Sequence, residues 1–470
     1  MHSFTGSRLR PPAPTPPLRP LGPLALLKAL RANPLECWTK AHFEEPIVLG
    51  GFPFMRYAVV SDPTAIRKIL VEDHSAYRKS AIERRVLASR MPNGLVSVEG
   101  GEQWQRLRRT LAPMFGRTMT AGFARAMTRV ADDLVERWQN LSDGSVVEVK
   151  AEMSRVALEA LIGCIFSEGL GDPKAVCDAT TRYYATCGGL DPFDVLGLPD
   201  FVPRFTRLGA QHVLRAFYEA LNAAIAERRR SLATEPNAPR DMLGAMLAAK
   251  DPQTGQRMTE GEVKDNVMTF IFGGQETTSS ALTWAIYLLS QSPEWRERVA
   301  EEADDVIGGP VPDALDALVQ TRAVVEEALR LYPPIIGITR TALRRTELAE
   351  RIIDRGTMVV ISPYVVHRHR LLWNDPDIFD PTRFLPGRSK TIERYTFLPF
   401  GVGPRMCIGA ALAVQEATVV LATLMRRFVL ELVPGQSVWP VIDFTMKPRD
   451  GLRMTVTGRL SRALSHAAEW

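Results

Sequence analysis

Apolar residues return every three or four positions through 123–138 and 155–166, the spacing of helices that bury one face. The same pattern, interrupted near 92–94, 143–144, 191–200 and 233–239, runs from 62 to 248 and predicts a mostly helical half-chain. Residues 24–42 read as helical on either side of a break at Pro34. Residues 46–60 alternate instead, with Gly50, Gly51 and Pro53 between two apolar runs, which predicts a β-hairpin. Thr259 and Glu262 have the spacing of a capping box, and the helix they open can run to Ser290. At 1.5 Å per residue it would be roughly 45 Å long, and so apolar that it must cross the middle of the protein. A second helix ends at Leu331, ahead of Pro333 and Pro334. Short strand-like runs follow at 358–362 and 430–433, and 441–446 with 452–457 reads as a closing hairpin.

The chain has 470 residues, enough for three domains, but no linker or repeat divides it. Residues 1–20 are rich in proline and predict an extended, partly disordered lead-in; 21–470 read as one large domain, mainly α with minor β. At 46% hydrophobic and 24% charged the composition is globular, which excludes fibrous and disordered classes. A formal charge of +5 is too thin for a nucleic-acid protein. The longest N-terminal apolar run, 21–30, holds Pro23 and Lys28 and is too short to span a membrane. The five cysteines, Cys37, Cys164, Cys177, Cys187 and Cys407, form neither a CxxC pair nor zinc-like spacing with histidine. Reduced thiols suit a cytoplasmic protein.

Chemistry concentrates at 400–409, Phe-Gly-Val-Gly-Pro-Arg-Met-Cys-Ile-Gly. Two glycines and a proline make a rigid loop, and the apolar run after Cys407 reads as a helix. Cys407 would then lie at a helix N-terminus, where free N–H groups, the macrodipole and Arg405 favour the thiolate. A buried thiolate so placed is what an axial iron ligand requires; an isolated cysteine would more often be a plain core thiol. Glu327 and Arg330, three apart, share a helix face and by themselves need be no more than a surface ion pair.

The loop F-x-x-G-x-R-x-C-x-G resembles the haem-binding signature of the cytochrome P450 family, soluble bacterial type. Three further motifs stand upstream in the family's order: Gly274-Gln275-Glu276-Thr277-Thr278, the ExxR of Glu327 and Arg330, and Pro381-Thr382-Arg383-Phe384. The resemblance implies the triangular, helix-rich P450-like fold and haem b, iron protoporphyrin IX, with Cys407 as metal ligand. Phe400, Gly403, Arg405 and Gly409 then belong to the cofactor loop. It implies further haem contacts from Trp104 and Arg108, which match W-x-x-x-R, and from Arg340. Glu327, Arg330 and Arg383 become one buried structural cluster behind the ligand loop. Two mid-helix glycines cost roughly 1 kcal/mol each, so Gly273 and Gly274 suggest a local opening of the helix; the family usually has Ala at the first. Glu276 and Thr277 beside that opening would relay protons for dioxygen activation. Arginine and histidine replace the family's usual Asp-Pro at His369 and Arg370, which leaves that turn's geometry open, and His367 is read as structural.

The function implied is monooxygenation of a hydrophobic organic substrate, by hydroxylation or epoxidation. Family analogy places the pocket at 86–98, Phe270, Gly273, Gly274, Ile335, Ile336, Ile338, Val441 and Phe444. Arg84, Arg85 and Arg90 could anchor a substrate carboxylate. No reductase module follows Cys407, so electrons are expected from a ferredoxin-type donor with an NAD(P)H-dependent ferredoxin reductase. Arg106, Arg108 and Arg109 would steer that donor. Two rivals stay open: a haem-thiolate peroxygenase or isomerase, and a haem-binding sensor or carrier without turnover.

Overall fold

The capping box predicted at residue 259 opens the longest helix among the described residues. Thr259 Oγ1 accepts the Glu262 N–H at 3.2 Å, and the Glu262 carboxylate accepts the Thr259 N–H at 2.9 Å. The structure is a computed structural model and describes residues 8–52, 55–81, 83–84, 91–167, 210–234, 241–307 and 316–459. Within these, the longer helices are α1 (Pro23–Ala32), α2 (Gly101–Leu111), α3 (Arg117–Gln139), α4 (Val149–Ile165) and α5 (Ala210–Thr234). They continue as α6 (Glu260–Ser290), α7 (Pro293–Val306), α8 (Val319–Leu331) and α9 (Ala410–Arg427). The proposed break at 191–200, the segment 86–90 with Arg85 and Arg90, Cys177 and Cys187, and residues 1–7 lie outside the described residues.

Helix α6 runs unbroken and packs on α4, α8 and α9. Its apolar residues, from Val263 to Leu289, sit in the main core. Trp284 stacks on Tyr332 just beyond α8, centroids 3.8 Å apart and planes 10° from parallel. No helix among the described residues is long and apolar enough to cross a membrane.

The predicted hairpin is β1 (Ile47–Phe52) with β2 (Met55–Val60). It joins a five-stranded sheet in the order β1-β2-β8-β5-β3, where β3 is Tyr77–Lys79, β5 Ile338–Ala342 and β8 Met358–Ile361. β3 runs antiparallel to β5 with Lys79 opposite Arg340. Neither β3 nor β4 (Ser145–Glu148) was evident in the surrounding helical pattern. A two-stranded ribbon, β6 (Thr346–Leu348) with β7 (Arg351–Ile353), lies apart from that sheet.

The closing hairpin is corrected. Residues 440–448 form a hairpin by themselves, β10 (Pro440–Ile442) with β11 (Met446–Pro448), turning at Asp443. β12 (Arg453–Gly458) lies between β4 and β9 (Phe428–Leu432), so both its edges are filled. What alternated like one strand from 441 to 446 is half a ribbon, its turn and the start of the return.

Residues 8–20 hold no helix but are tied down at several points. The Leu9 carbonyl accepts the Phe379 N–H at 3.0 Å, the Pro17 carbonyl the Lys40 N–H at 2.9 Å, and the Pro12 carbonyl the Tyr332 hydroxyl at 2.8 Å. At the turn where His369 and Arg370 stand for Asp-Pro, His369 bonds the Glu45 carbonyl at 3.1 Å, and its own carbonyl accepts the N–H groups of Leu372 and Trp373. The turn survives without Asp-Pro because these bonds hold its backbone.

Candidate active site

The loop before α9 is shaped by two glycines in the left-handed region, Gly401 at φ 66° and Gly403 at φ 76°. Turned this way, the loop brings the Cys407 N–H to the Phe400 carbonyl at 2.9 Å and the Met406 N–H to that of Gly403 at 3.0 Å. Gly403 lies against the chain, and a Cβ there would overlap the Leu70 carbonyl oxygen. Gly403→Ala is therefore expected to cost about 3 kcal/mol or more, from backbone strain and overlap together. Gly273→Ala, whose Cβ would meet nothing within 4 Å, serves as the control and should leave the protein as stable or more so. Thermal unfolding of the two variants compares them.

Helix α9 begins at Ala410, with Gly409 at its N-cap, so Cys407 stands three residues ahead of the first helical residue. The cysteine is reached by solvent yet closely walled in. Burial pushes its thiol pKa above the ordinary value, while the Gly409 N–H and the Arg108 charge pull it down. The cation that favours the thiolate is thus Arg108, where Arg405 was expected; Arg405 is engaged elsewhere. Arg405 lies over the Trp104 ring, 4.5 Å from its centroid, and donates to the carbonyls of Val98 and Glu99. Phe115 bridges to the long helix: its ring lies 3.7 Å from where a Gly409 Cβ would be, and meets Phe270 edge-on at 5.1 Å. Ile338 approaches the same loop at Gly401.

Beside the loop, buried positive charge gathers. Arg340 donates to Glu83 at 2.9 Å and stands close enough to Arg405 to lower its pKa, and both arginines lower that of Lys79. Burial and Arg340 together bring the Arg405 pKa down to about 10. The two neighbouring carboxylates are already engaged, Glu83 by Arg340 and Glu99 by Arg84 at 3.5 Å. With Glu99 so held, Arg84 is less suited to anchoring a substrate carboxylate.

On α6 the glycine pair divides its labour. Gly273 faces open space, and Thr277, one turn later, donates to its carbonyl at 2.6 Å. Gly274 faces α4, where a Cβ would come within 2.8 Å of Leu161, so its missing side chain serves helix packing. The helix ladder is not opened, which corrects that expectation; the Thr277 hydroxyl back-bonds instead.

Glu276 is one residue, hence about 100° round the helix, from Thr277. It pairs with Lys150 at 3.0 Å and accepts from the Thr445 hydroxyl at 3.1 Å; Lys150 also donates to Ser279 at 2.7 Å. Glu276 therefore does not lie free beside an opening, and Lys150, which carries no motif, was missed.

Thr445 lies in the β10–β11 turn, whose Met446 carbonyl accepts from Ser280 and Trp284 and whose Met446 N–H reaches the Pro334 carbonyl at 3.1 Å. These bonds draw the pocket candidates of 335–338 and 441–444 toward α6. Val441 and Phe270 are buried, Ile336 and Phe444 lie against the main core, and Ile335 is exposed.

Residues 11–456 match the sequence profile of one family, cytochrome P450. The chain belongs to that family. Cyclooctatin synthase of Streptomyces melanosporofaciens is 34% identical over 74% of this chain and 75% of its own. Cyclooctat-9-en-7-ol 5-monooxygenase of the same species is 32% identical over 80% of each chain. Pentalenene oxygenase of Streptomyces avermitilis is 32% identical over 84% of this chain and 87% of its own. The protein is a cytochrome P450 monooxygenase of the family's helix-rich fold, and its cofactor is a haem iron. The residues present fit such a group. An accessible thiol would offer a soft donor to the iron, and the buried cations beside it exceed the carboxylates that neutralise them.

In this P450 the ExxR residues are wholly buried. Arg330 grips Glu327 in a fork of two bonds, 2.6 and 2.7 Å, and donates to the carbonyls of His367, Pro376 and Ile378. Arg383 stands at 3.7 Å from Glu327 and bonds the Asp375 carbonyl at 3.0 Å, so it joins the cluster by charge more than by contact. His367 donates from Nδ1 to the Arg330 carbonyl at 3.2 Å and accepts the Leu398 N–H at 2.7 Å. Burial and the Arg330 charge hold its pKa down to about 3, so the ring stays neutral, as that bonding requires. It is the link from ExxR to the start of the cysteine loop.

Two of the arginines expected to steer a redox donor are spent inside the protein. Arg106 pairs with Glu262, and Arg109 forks onto buried Asp251 at 2.9 and 3.0 Å, holding that carboxyl well below its usual range. Arg108 makes no ion pair among the described residues.

Proposed function

We propose that this cytochrome P450 binds haem b through Cys407 and oxygenates an apolar terpenoid hydrocarbon or alcohol. Its electrons would come from a ferredoxin supplied by an NAD(P)H-dependent ferredoxin reductase. The observation that carries the reading is the Gly273–Thr277 step, a hydroxyl held on one carbonyl at a point of α6 that faces open space. Haem, when bound, supplies electron storage and oxygen activation, and thiolate ligation favours O–O cleavage.

The chain's own part is positioning and protons. Thr277, its proton directed to the Gly273 carbonyl, keeps its oxygen lone pairs available to water. Glu276, held by Lys150 and Thr445, is the nearest charged group along the helix and would resupply protons when it leaves that clamp. Phe270, Phe444, Val441 and Ile336 provide apolar wall. The names of two relatives denote an alkene, pentalenene, and an unsaturated alcohol, which supports the substrate class. Arg108, which acts on Cys407 and makes no ion pair among the described residues, supports an acidic donor. Free Cys37 and Cys164 support a cytoplasmic setting.

A spectral-shift screen of the ferric protein against terpenoids identifies a substrate, and turnover with a ferredoxin donor pair then tests the reading. Thr277→Ala should leave the spectral shift intact but divert NAD(P)H electrons from product to peroxide. Glu276→Gln should slow product formation by about 10²–10⁴, the usual share of a positioned acid–base group. Unchanged coupling in Thr277→Ala would contradict the relay. Product formed with added peroxide and none with the donor pair would favour the peroxygenase alternative.

A further inference from the structure

One buried cation at the edge of the five-stranded sheet has no assigned role. Lys79 ends β3, directly opposite Arg340 of β5, and only 3% of it is exposed. Its ammonium has three N–H groups. Two go to backbone carbonyls, those of Val96 and Val98, the second at 3.2 Å. The Val98 carbonyl also accepts from Arg405 at 3.3 Å, so two cationic heads meet at one oxygen, with Arg340 near both. Burial above all, with Arg405 and Arg340, brings the Lys79 pKa down to about 8. Glu83 and Glu99, the acids within reach, are engaged by Arg340 and Arg84. A buried ammonium with one N–H that has no partner among the described residues, set among arginines, is built for an anion from outside the chain.

We propose that Lys79 contacts a haem propionate through its third N–H, while the other two latch the segment 96–98 to the cofactor's edge. This rests on the reading that haem is held at Cys407. The latch matters because that segment is also fastened to α6: Asn266 accepts the Leu95 N–H at 2.8 Å, and Asp265 the Asn93 N–H at 2.8 Å. Haem, the strand end and the long helix would thus converge on one loop, within the stretch where family analogy places part of the substrate pocket. A purely structural Lys79 would need its hydrogen bonds but not its charge.

The holoprotein and two variants separate these roles. Lys79→Gln keeps donors for Val96 and Val98 without the charge, and Lys79→Arg keeps the charge. Haem release is followed by transfer to excess apomyoglobin, and the propionate bending band by resonance Raman. Lys79→Gln should release haem about tenfold faster, the size of one lost charge-assisted contact, with a displaced propionate band. Lys79→Arg should restore both. Wild-type release from Lys79→Gln would overturn the proposal, and so would faster release with an unmoved propionate band. Both variants should keep the carbon monoxide spectrum of the parent, which reports Cys407 ligation separately from Lys79.

Discussion

Glu327→Ala is expected to give little soluble, haem-loaded protein. The carboxylate lies at 0% exposure and accepts a fork from Arg330, the Asp380 N–H at 2.8 Å and the charge of Arg383. Removing it leaves a guanidinium buried without its counter-ion, a loss of about 3–5 kcal/mol out of the roughly 5–15 kcal/mol that keeps a protein folded. The damage would not stay local. Arg330 also collects the carbonyls of His367, Pro376 and Ile378, and His367 passes the connection on to the Leu398 N–H, two residues before Phe400. Slack in the ExxR pair therefore reaches the loop that aims Cys407. Glu327→Gln keeps two polar atoms but not the charge, and should retain part of the haem. The measurement is haem per polypeptide in the soluble fraction. Parent-level loading in Glu327→Ala would show that the cluster does not hold the loop.

Where one motif carries both the residue types and their spacing, the site was legible in the sequence. The glycine turns of 401–403, the ExxR pair and the Thr259 capping box depend on neighbours within a few positions, and local rules reach that far. What escaped was partnership across the chain. Nothing near Lys150 tells that it reaches Glu276, 126 residues on in sequence terms, because helix packing of α4 on α6 decides it. Arg106 and Arg109 looked like a basic surface for the same reason: Glu262 and Asp251, which consume them, are remote in sequence. The two glycines of α6 looked alike and are not, since only the approach of Leu161 tells the packing glycine from the one facing open space. β3 and β4 are short strands, and their pairing with β5 and β12 leaves too little periodicity to read.

The second large effect concerns Cys407, on which the oxygenase reading stands. Its thiol has what ligation asks for: access, a backbone N–H from Gly409 and a nearby guanidinium in Arg108, against the burial that otherwise raises its pKa. Of the other described thiols, Cys164 is buried in the core with its pKa pushed far up, and Cys37 sits in the turn after α1, pushed up to about 11. Neither offers an accessible thiolate. Histidine at 407 could still bind iron, but imidazole lacks the electron donation of a thiolate. The decisive measurement is the spectrum of the reduced protein under carbon monoxide, for the parent and for Cys407→His. The parent should show the red-shifted Soret band of thiolate-ligated haem, and Cys407→His should lose it while retaining some haem. A parent without that band, or a variant that keeps it, would contradict the assignment.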